Sequence, residues 1–291
     1  MTDEESSPVA AARLVAEGVA RREAGDTAGA EAAYRAALAL APEWSVPHYN
    51  IGLICKYAGR WPESFDFNRR AAALDPDDMA AWWNMGIAAT ALGRWRDARH
   101  AWQQCGIPDP GGSDPPAYSF GTIALRLDPD GAGEVVWGTR FDPARSRIDN
   151  IPLPSSAFRF GDIILNDGAI EGERIVHGVT YGVFNVLQRL VPSEMRTFVI
   201  ELASADATAV AGLKKIAGEL GGAAENWGES TRILCRDCSY GRPHVHDGHE
   251  GTAAHPHCGL AAPGPDVART IIDRWLDSCD TADLIQWYER E

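Results

Sequence analysis

Small and large residues alternate at helical spacing in three stretches of this chain. Ala30, Tyr34 and Ala37 make the first set, Ser64, Asn68 and Ala71 the second, and Ala98, Trp102 and Cys105 the third. Steps of four and then three residues place each set on one helical face. The sets recur with a period of 34 residues. Glycines keep the same period: Gly18, Gly52 and Gly86, then Gly25, Gly59 and Gly93. So do Pro42, Pro76 and Pro110, each placed to end a helix, because proline cannot donate the next backbone bond. The first glycine series lets two helices approach closely, and the second sits where a turn needs positive φ. A fixed period of about 20–50 residues marks stacked supersecondary units that bury their apolar faces on one another.

These marker positions resemble the tetratricopeptide repeat (TPR) over residues 11–110, as repeats 11–44, 45–78 and 79–110. Three departures stand out. Asn68 replaces the aromatic of the second repeat, and Arg21 replaces a large residue in the first. Cys105-Gly106-Ile107-Pro108 breaks the third repeat, which predicts a shortened last helix. The resemblance implies a scaffold for contact and does not name the partner.

Beyond residue 110 the pattern changes. Residues 1–10 form an acidic N-terminus, and residues 111–116 form a Gly/Pro-rich linker. Thr122–Leu127 and Glu134–Gly138 read as strands. Asp162–Leu165 reads as a strand ending at an Asn166-Asp167-Gly168 turn, with a further turn at Glu171–Glu173. Short strands at this spacing predict an antiparallel meander. Thr197–Leu202 predicts a strand, residues 206–220 a helix, and Thr231–Cys235 a returning strand. Val267, Ile271, Trp275 and Cys279 predict a terminal helix over 266–279, followed by a shorter helical piece at Leu284–Tyr288. The fold class is therefore α+β and multidomain: an all-α solenoid of three helix-turn-helix repeats, then an α+β domain over 117–291.

Composition narrows the setting. The 291 residues are 45% hydrophobic, ample for packed cores, and no apolar run approaches a membrane span. An acidic start, Thr2-Asp3-Glu4-Glu5, is the reverse of a secretory signal, and six cysteines in this length do not read as a disulfide framework. A cytoplasmic location is expected. Arginine outnumbers lysine 24 to 3, which points to a bacterial genome rich in G and C. Net charge is −14, of which the first 110 residues carry −4 and the remainder −10. Such a surface repels phosphate backbones, so neither nucleic acid nor membrane is an expected partner. It suits solubility, and also a basic protein partner.

Ligand-type residues concentrate in one segment, 235–258. Cys235 and Cys238 form a Cys-x-x-Cys hook, followed by His244, His246 and His249 and then by His255, His257 and Cys258. Two thiolates two residues apart turn readily onto one ion, and imidazoles complete a tetrahedron, so structural Zn2+ is expected on Cys235, Cys238 and two of His244, His246 and His249. His255, His257 and Cys258 are alternative ligands. A polar loop with reduced thiols is the plain alternative. Redox use is disfavoured, because Gly241 and Pro243 follow the hook where a helix N-terminus would lower a thiol pKa. His244-Val245-His246-Asp247-Gly248-His249 resembles the metallo-β-lactamase motif His-x-His-x-Asp-His with the aspartate one place early. That keeps a metal-dependent hydrolase as the enzyme alternative. Phosphate-loop, nucleophile-elbow and His-Glu-x-x-His motifs are absent from the sequence.

The first helices of stacked repeats line a concave face. By register that face carries Val15, Val19 and Arg22, then Tyr49, Asn50, Leu53 and Lys56, then Trp83, Asn84 and Ile87, of which the eight besides Arg22 and Lys56 are the expected partner-binding residues. Asn50 matches one position of the carboxylate clamp of chaperone-binding TPRs, but Val15, Ala80 and Asn84 replace its basic partners. Chaperone-tail binding is therefore not expected. The groove is apolar and aromatic with amides, suited to a helix or an extended peptide. The expected role is non-catalytic binding of a protein or peptide, in one version as an immunity or inhibitor protein for a basic toxin.

Overall fold

The structure is a computed structural model that describes residues 7–131, 133–176, 178–204, 206–228, 257–279 and 281–290. The chain divides into two compact units, residues 1–118 and 119–291.

The first unit is helical. It contains α1 (Ser7–Glu23), α2 (Thr27–Leu40), α3 (Ser45–Tyr57), α4 (Trp61–Leu74), α5 (Met79–Ala91) and α6 (Trp95–Gln104). Each helix packs on its neighbour in sequence, and α3 also reaches α5. The three intra-repeat turns are built alike. Gly25, Gly59 and Gly93 take φ of 82°, 68° and 66°. In each turn the glycine N–H bonds three residues back, and the next residue bonds five back: Asp26 to Arg21 O at 2.9 Å, Arg60 to Cys55 O at 2.9 Å, and Arg94 to Ala89 O at 2.8 Å. This is the Schellman arrangement, which satisfies the last carbonyls of the helix and needs a residue without Cβ strain at its left-handed position. The same arrangement closes α6 at Gly106, where Ile107 N–H reaches Trp102 O at 2.9 Å. The last helix is thus ten residues long, where α2 and α4 have 14.

The other glycine series explains the helix pairing. A Cβ on Gly18, Gly52 or Gly86 would lie 2.5 Å from Tyr34, Asn68 or Trp102 respectively. All three large partners are fully buried. Asn68, the polar departure, is accommodated by a second one. Ser64 stands where the other repeats have alanine, and its Oγ donates to Gly52 O at 2.9 Å. Asn68 Nδ2 donates to Ser64 O at 2.8 Å. Arg21 lies on the surface and pairs with Glu17 and Asp26 at 2.8 and 2.9 Å.

The second unit opens with β1 (Gly121–Arg126), β2 (Val135–Arg140), β3 (Arg145–Ile148), β4 (Ile163–Val176) and β5 (Val179–Val191). Successive strands are antiparallel, and β1 pairs with β5 in parallel, so the expected meander closes into a five-stranded barrel. Ile123, Leu125, Val136, Ile148, Ile164 and Val186 fill one core. The turn expected at Asn166-Asp167-Gly168 is not formed. β4 runs through it and absorbs the irregularity as register shifts against β5. Asn166 is fully buried there, accepting from Ser146 Oγ at 2.9 Å. The turn expected at Glu171–Glu173 is likewise an irregularity within β4.

Among the described residues six further elements follow: β6 (Arg196–Ser204), α7 (Ala207–Glu219), β7 (Ala223–Asn226), β8 (His257–Ala262), α8 (Pro265–Asp277) and β9 (Asp283–Glu289). The sheet order is β7-β8-β6-β9 with antiparallel neighbours. In the described residues two strand–helix–strand units interleave, and their order matches the β-α-β-β-α-β arrangement of ferredoxin-like sheets. One unit was expected. Its returning strand is β7, whereas Thr231–Cys235 lies outside the described residues. The helical piece expected at Leu284–Tyr288 is strand β9, paired along β6. Leu284, Trp287 and Tyr288 share helical spacing, but hydrogen bonding to an open sheet edge overrides that local pattern.

Phe198, Ile200 and Leu202 of β6 face α7 and α8, where Trp275 Nε1 donates to Ala209 O at 2.8 Å. Val199 faces the other way, onto Ile151 and Trp227. Trp227 Nε1 donates to Ile151 O at 2.9 Å, and its ring lies over Gly259, whose hypothetical Cβ would fall 2.5 Å away. Glu225 accepts from Asn150 Nδ2 at 2.7 Å and from Ile151 N–H at 2.9 Å. The barrel and the split sheet therefore share one seam. Among the described residues no helix is long and apolar enough to cross a membrane.

Candidate partner-binding groove

Repeat register places the eight groove residues on three helices: Val15 and Val19 on α1; Tyr49, Asn50 and Leu53 on α3; Trp83, Asn84 and Ile87 on α5. Contact between α3 and α5 brings the last two groups together. The eight are not equally accessible. Ile87 is fully buried, and Val15, Asn50 and Asn84 are nearly so. Val19, Tyr49, Leu53 and Trp83 are half-buried and keep a solvent-facing part. Asn50 Nδ2 is engaged with Val46 O on its own helix, at 2.9 Å. Tyr49 packs on Ala71, Ala72 and Ala81. Trp83 meets Trp102 edge-on, with ring centroids 5.3 Å apart. The two aromatics thus contribute to repeat packing, which register alone did not reveal. Leu53 is half-buried on α3.

A second cluster lies where the first two repeats meet. Glu31, Cys55 and Glu63 bring ligand-type atoms within 4.8 Å of one another. Their chemistry does not suit a cation. Arg60 pairs with both Glu31 and Glu63, and Arg35 pairs with Glu31 at 2.7 Å. The hydrogen bond from Arg60 is the main cause holding the Glu31 carboxyl below its ordinary value. Burial pushes the Cys55 thiol up to about 11. The group is an ion-pair network tying α2, α3 and α4 together.

Cys235, Cys238, His244, His246, His249 and His255 lie outside the described residues. The alternative ligands His257 and Cys258 are described, as neighbours on β8. They face opposite sides of the sheet, because strand side chains alternate. Cys258 is fully buried in the core between sheet and helices, while His257 Nε2 is 3.8 Å from Glu201. The two cannot jointly ligate one ion. Asp142 is a turn residue, accepting from Ala144 N–H at 2.8 Å and from Arg145 N–H at 2.6 Å. A cavity of about 370 Å³ lies in the second unit, walled by Leu127, Glu134, Leu153 and Phe158, with Asp128 and Ser155 also lining it.

Helix, Schellman turn, helix, repeated at 34 residues with a glycine under each large residue, makes the first unit a helical-repeat scaffold resembling tetratricopeptide repeats. Solved TPR structures are similar to that part of the chain. The second TPR of Spaghetti (RPAP3), bound to an HSP90 peptide, has 19% identity and a TM-score of 0.32, over 33% of this chain and 88% of that one. The TPR domain of Sgt2 from Aspergillus fumigatus has 24% identity and a TM-score of 0.31, over 36% and 70%. An O-GlcNAc transferase mutant from Thermobaculum terrenum has 24% identity and a TM-score of 0.32, over 36% and 20%. No family model matches the chain. No curated protein matches it either.

Proposed function

We propose that this chain is a non-catalytic interaction protein that holds a peptide or protein segment in the groove of its helical repeats. The observation that carries the reading is the set of half-buried side chains, Tyr49, Leu53 and Trp83, on the first helices of adjacent repeats. Apolar anchors of this kind dominate binding when a partner removes them from water. The acidity of residues 111–291 supports a basic partner, as an immunity or inhibitor protein would have. The setting would be cytoplasmic. Zinc on Cys235, Cys238 and two of His244, His246 and His249 would serve a structural role in the same reading.

A photo-crosslinking residue at Leu53 of the full chain tests the groove. It should capture a partner that the same residue at Leu40, an exposed apolar site on α2, does not. Equal capture at the two positions would place binding elsewhere.

A further inference from the structure

Three arginines from distant parts of the chain converge in the second unit. Arg159 lies before β4, Arg189 on β5, and Arg290 just after β9. Arg189 and Arg290 both bond carbonyls of residues 153–158, and Arg159 directly follows that segment. Arg189 Nη1 donates to Ala157 O at 2.8 Å. Arg290 Nη1 donates to Phe158 O at 3.2 Å and to Leu153 O at 3.4 Å. Arg159 follows Phe158 directly, and its guanidinium makes no hydrogen bond or ion pair with any described residue. Arg189 also lies over the Phe158 ring, 5.8 Å from its centroid.

Two carboxylates face them, both already engaged by backbone. Asp162 is fully buried and accepts from Ser193 N–H at 2.7 Å, from Arg159 N–H at 2.9 Å and from Arg189 Nη1 at 3.3 Å. Glu134 is buried and takes Leu153 N–H on both oxygens, at 3.0 and 3.2 Å. Among the described residues, Asp162 and Glu134 are the acids that act on Arg290, against the like charges of Arg159 and Arg189. The crowding is felt at Arg290, which is held below its ordinary range first by burial and then by the like charge of Arg159. Arg159 and Arg290 are half-buried and Arg189 is more exposed, and guanidiniums that repel one another and retain unused N–H donors are complementary to an anion offering several oxygens.

We propose that Arg159, Arg189 and Arg290 form a receptor for a small multi-oxygen anion, a phosphate or carboxylate group on a ligand. The site is a local positive surplus in a strongly acidic chain, and the surrounding net charge opposes a long polyanion such as nucleic acid. It is independent of the repeat groove.

The test is calorimetric titration of the full chain with inorganic phosphate and, separately, with citrate, at constant ionic strength in a cationic buffer. Saturable binding is expected for at least one, and the arm that binds identifies the oxyanion source. Arg159→Gln should weaken that binding about tenfold, the loss typical of a charge-assisted hydrogen bond, with an unchanged thermal melt because Arg159 contacts Asp162 through its backbone, which the substitution keeps. Arg189→Lys keeps the charge but loses the planar fork, and should weaken binding less. Absence of saturable heat in both arms overturns the proposal. So does undiminished affinity in both variants.

Discussion

Gly86 and Trp102 occupy the same space between α5 and α6: a Cβ on the glycine would lie 2.5 Å from the indole ring. The ring is fully buried, so it has nowhere to move. Gly86→Ala should therefore destabilise the repeats. Overpacking costs about 1–3 kcal/mol, whereas the better helix propensity of alanine returns at most about 1 kcal/mol. Denaturant unfolding followed by circular dichroism measures the difference, and wild-type stability in the variant would show that the helices can separate without penalty.

The middle repeat should respond as a coupled pair. Ser64→Ala removes the hydroxyl that bonds Gly52 O, at a cost of about 1–2 kcal/mol for the buried partner left behind. Ser64→Ala with Asn68→Leu replaces both polar groups by apolar ones of similar size and should cost less than the sum of the single changes. Strict additivity in a double-mutant cycle would mean that Ser64 and Asn68 do not act together.

Acid should loosen the junction of the first two repeats. The folded-state pKa of Glu31 is depressed, chiefly by the Arg60 hydrogen bond. A depressed carboxylate contributes stability that is complete above its unfolded pKa and lost as pH falls through the folded one. Melting temperatures of wild type and Glu31→Gln should therefore converge as pH drops below the ordinary glutamate range and separate near neutrality. A constant gap across that range would remove Glu31 from the account.

In the groove, Leu53→Arg should abolish partner capture while leaving the circular-dichroism melt within about 0.5 kcal/mol of wild type, as expected at a partly exposed site. Trp83→Ala is a poorer probe, because loss of the edge-on contact with Trp102 lowers stability as well. Full capture by a folded Leu53→Arg variant would refute groove binding.

Purification without chelator should yield one zinc per chain, and Cys235→Ser should lower it. Acid should release the ion, since thiolates and neutral imidazoles are the binding forms. Substoichiometric zinc by elemental analysis would reject the site on Cys235, Cys238 and the histidines that follow.

The repeats were legible because their determinants are local and periodic: Gly18 and Tyr34, or Gly25 and its turn, recur at a fixed stride. The barrel was only half legible. β5 carries Gly182 and mixes Asn185 and Gln188 among its apolar residues, so Val179–Val191 shows no clean alternation. β4 hides its continuity behind Asn166-Asp167-Gly168, a good turn sequence that its tertiary surroundings convert into an irregular strand. For the expected groove residues, register placed them on α1, α3 and α5 but did not reveal the burial of Ile87 or the contact of Trp83 with Trp102, which depend on packing around them. The arginine cluster had no sequence signature, because its members are separated by at least 30 positions and meet only through the barrel and sheet.

The seam at Trp227 constrains how the second unit could be inherited. Trp227 needs the carbonyl of Ile151 from one half and the bare backbone of Gly259 from the other. A recombination breakpoint between barrel and sheet would strand a large indole on each transfer, so gene shuffling should move residues 119–291 as a single cassette. The repeats recur at a fixed period, so gain or loss there should come in steps of 34 residues, which keep neighbouring interfaces in register.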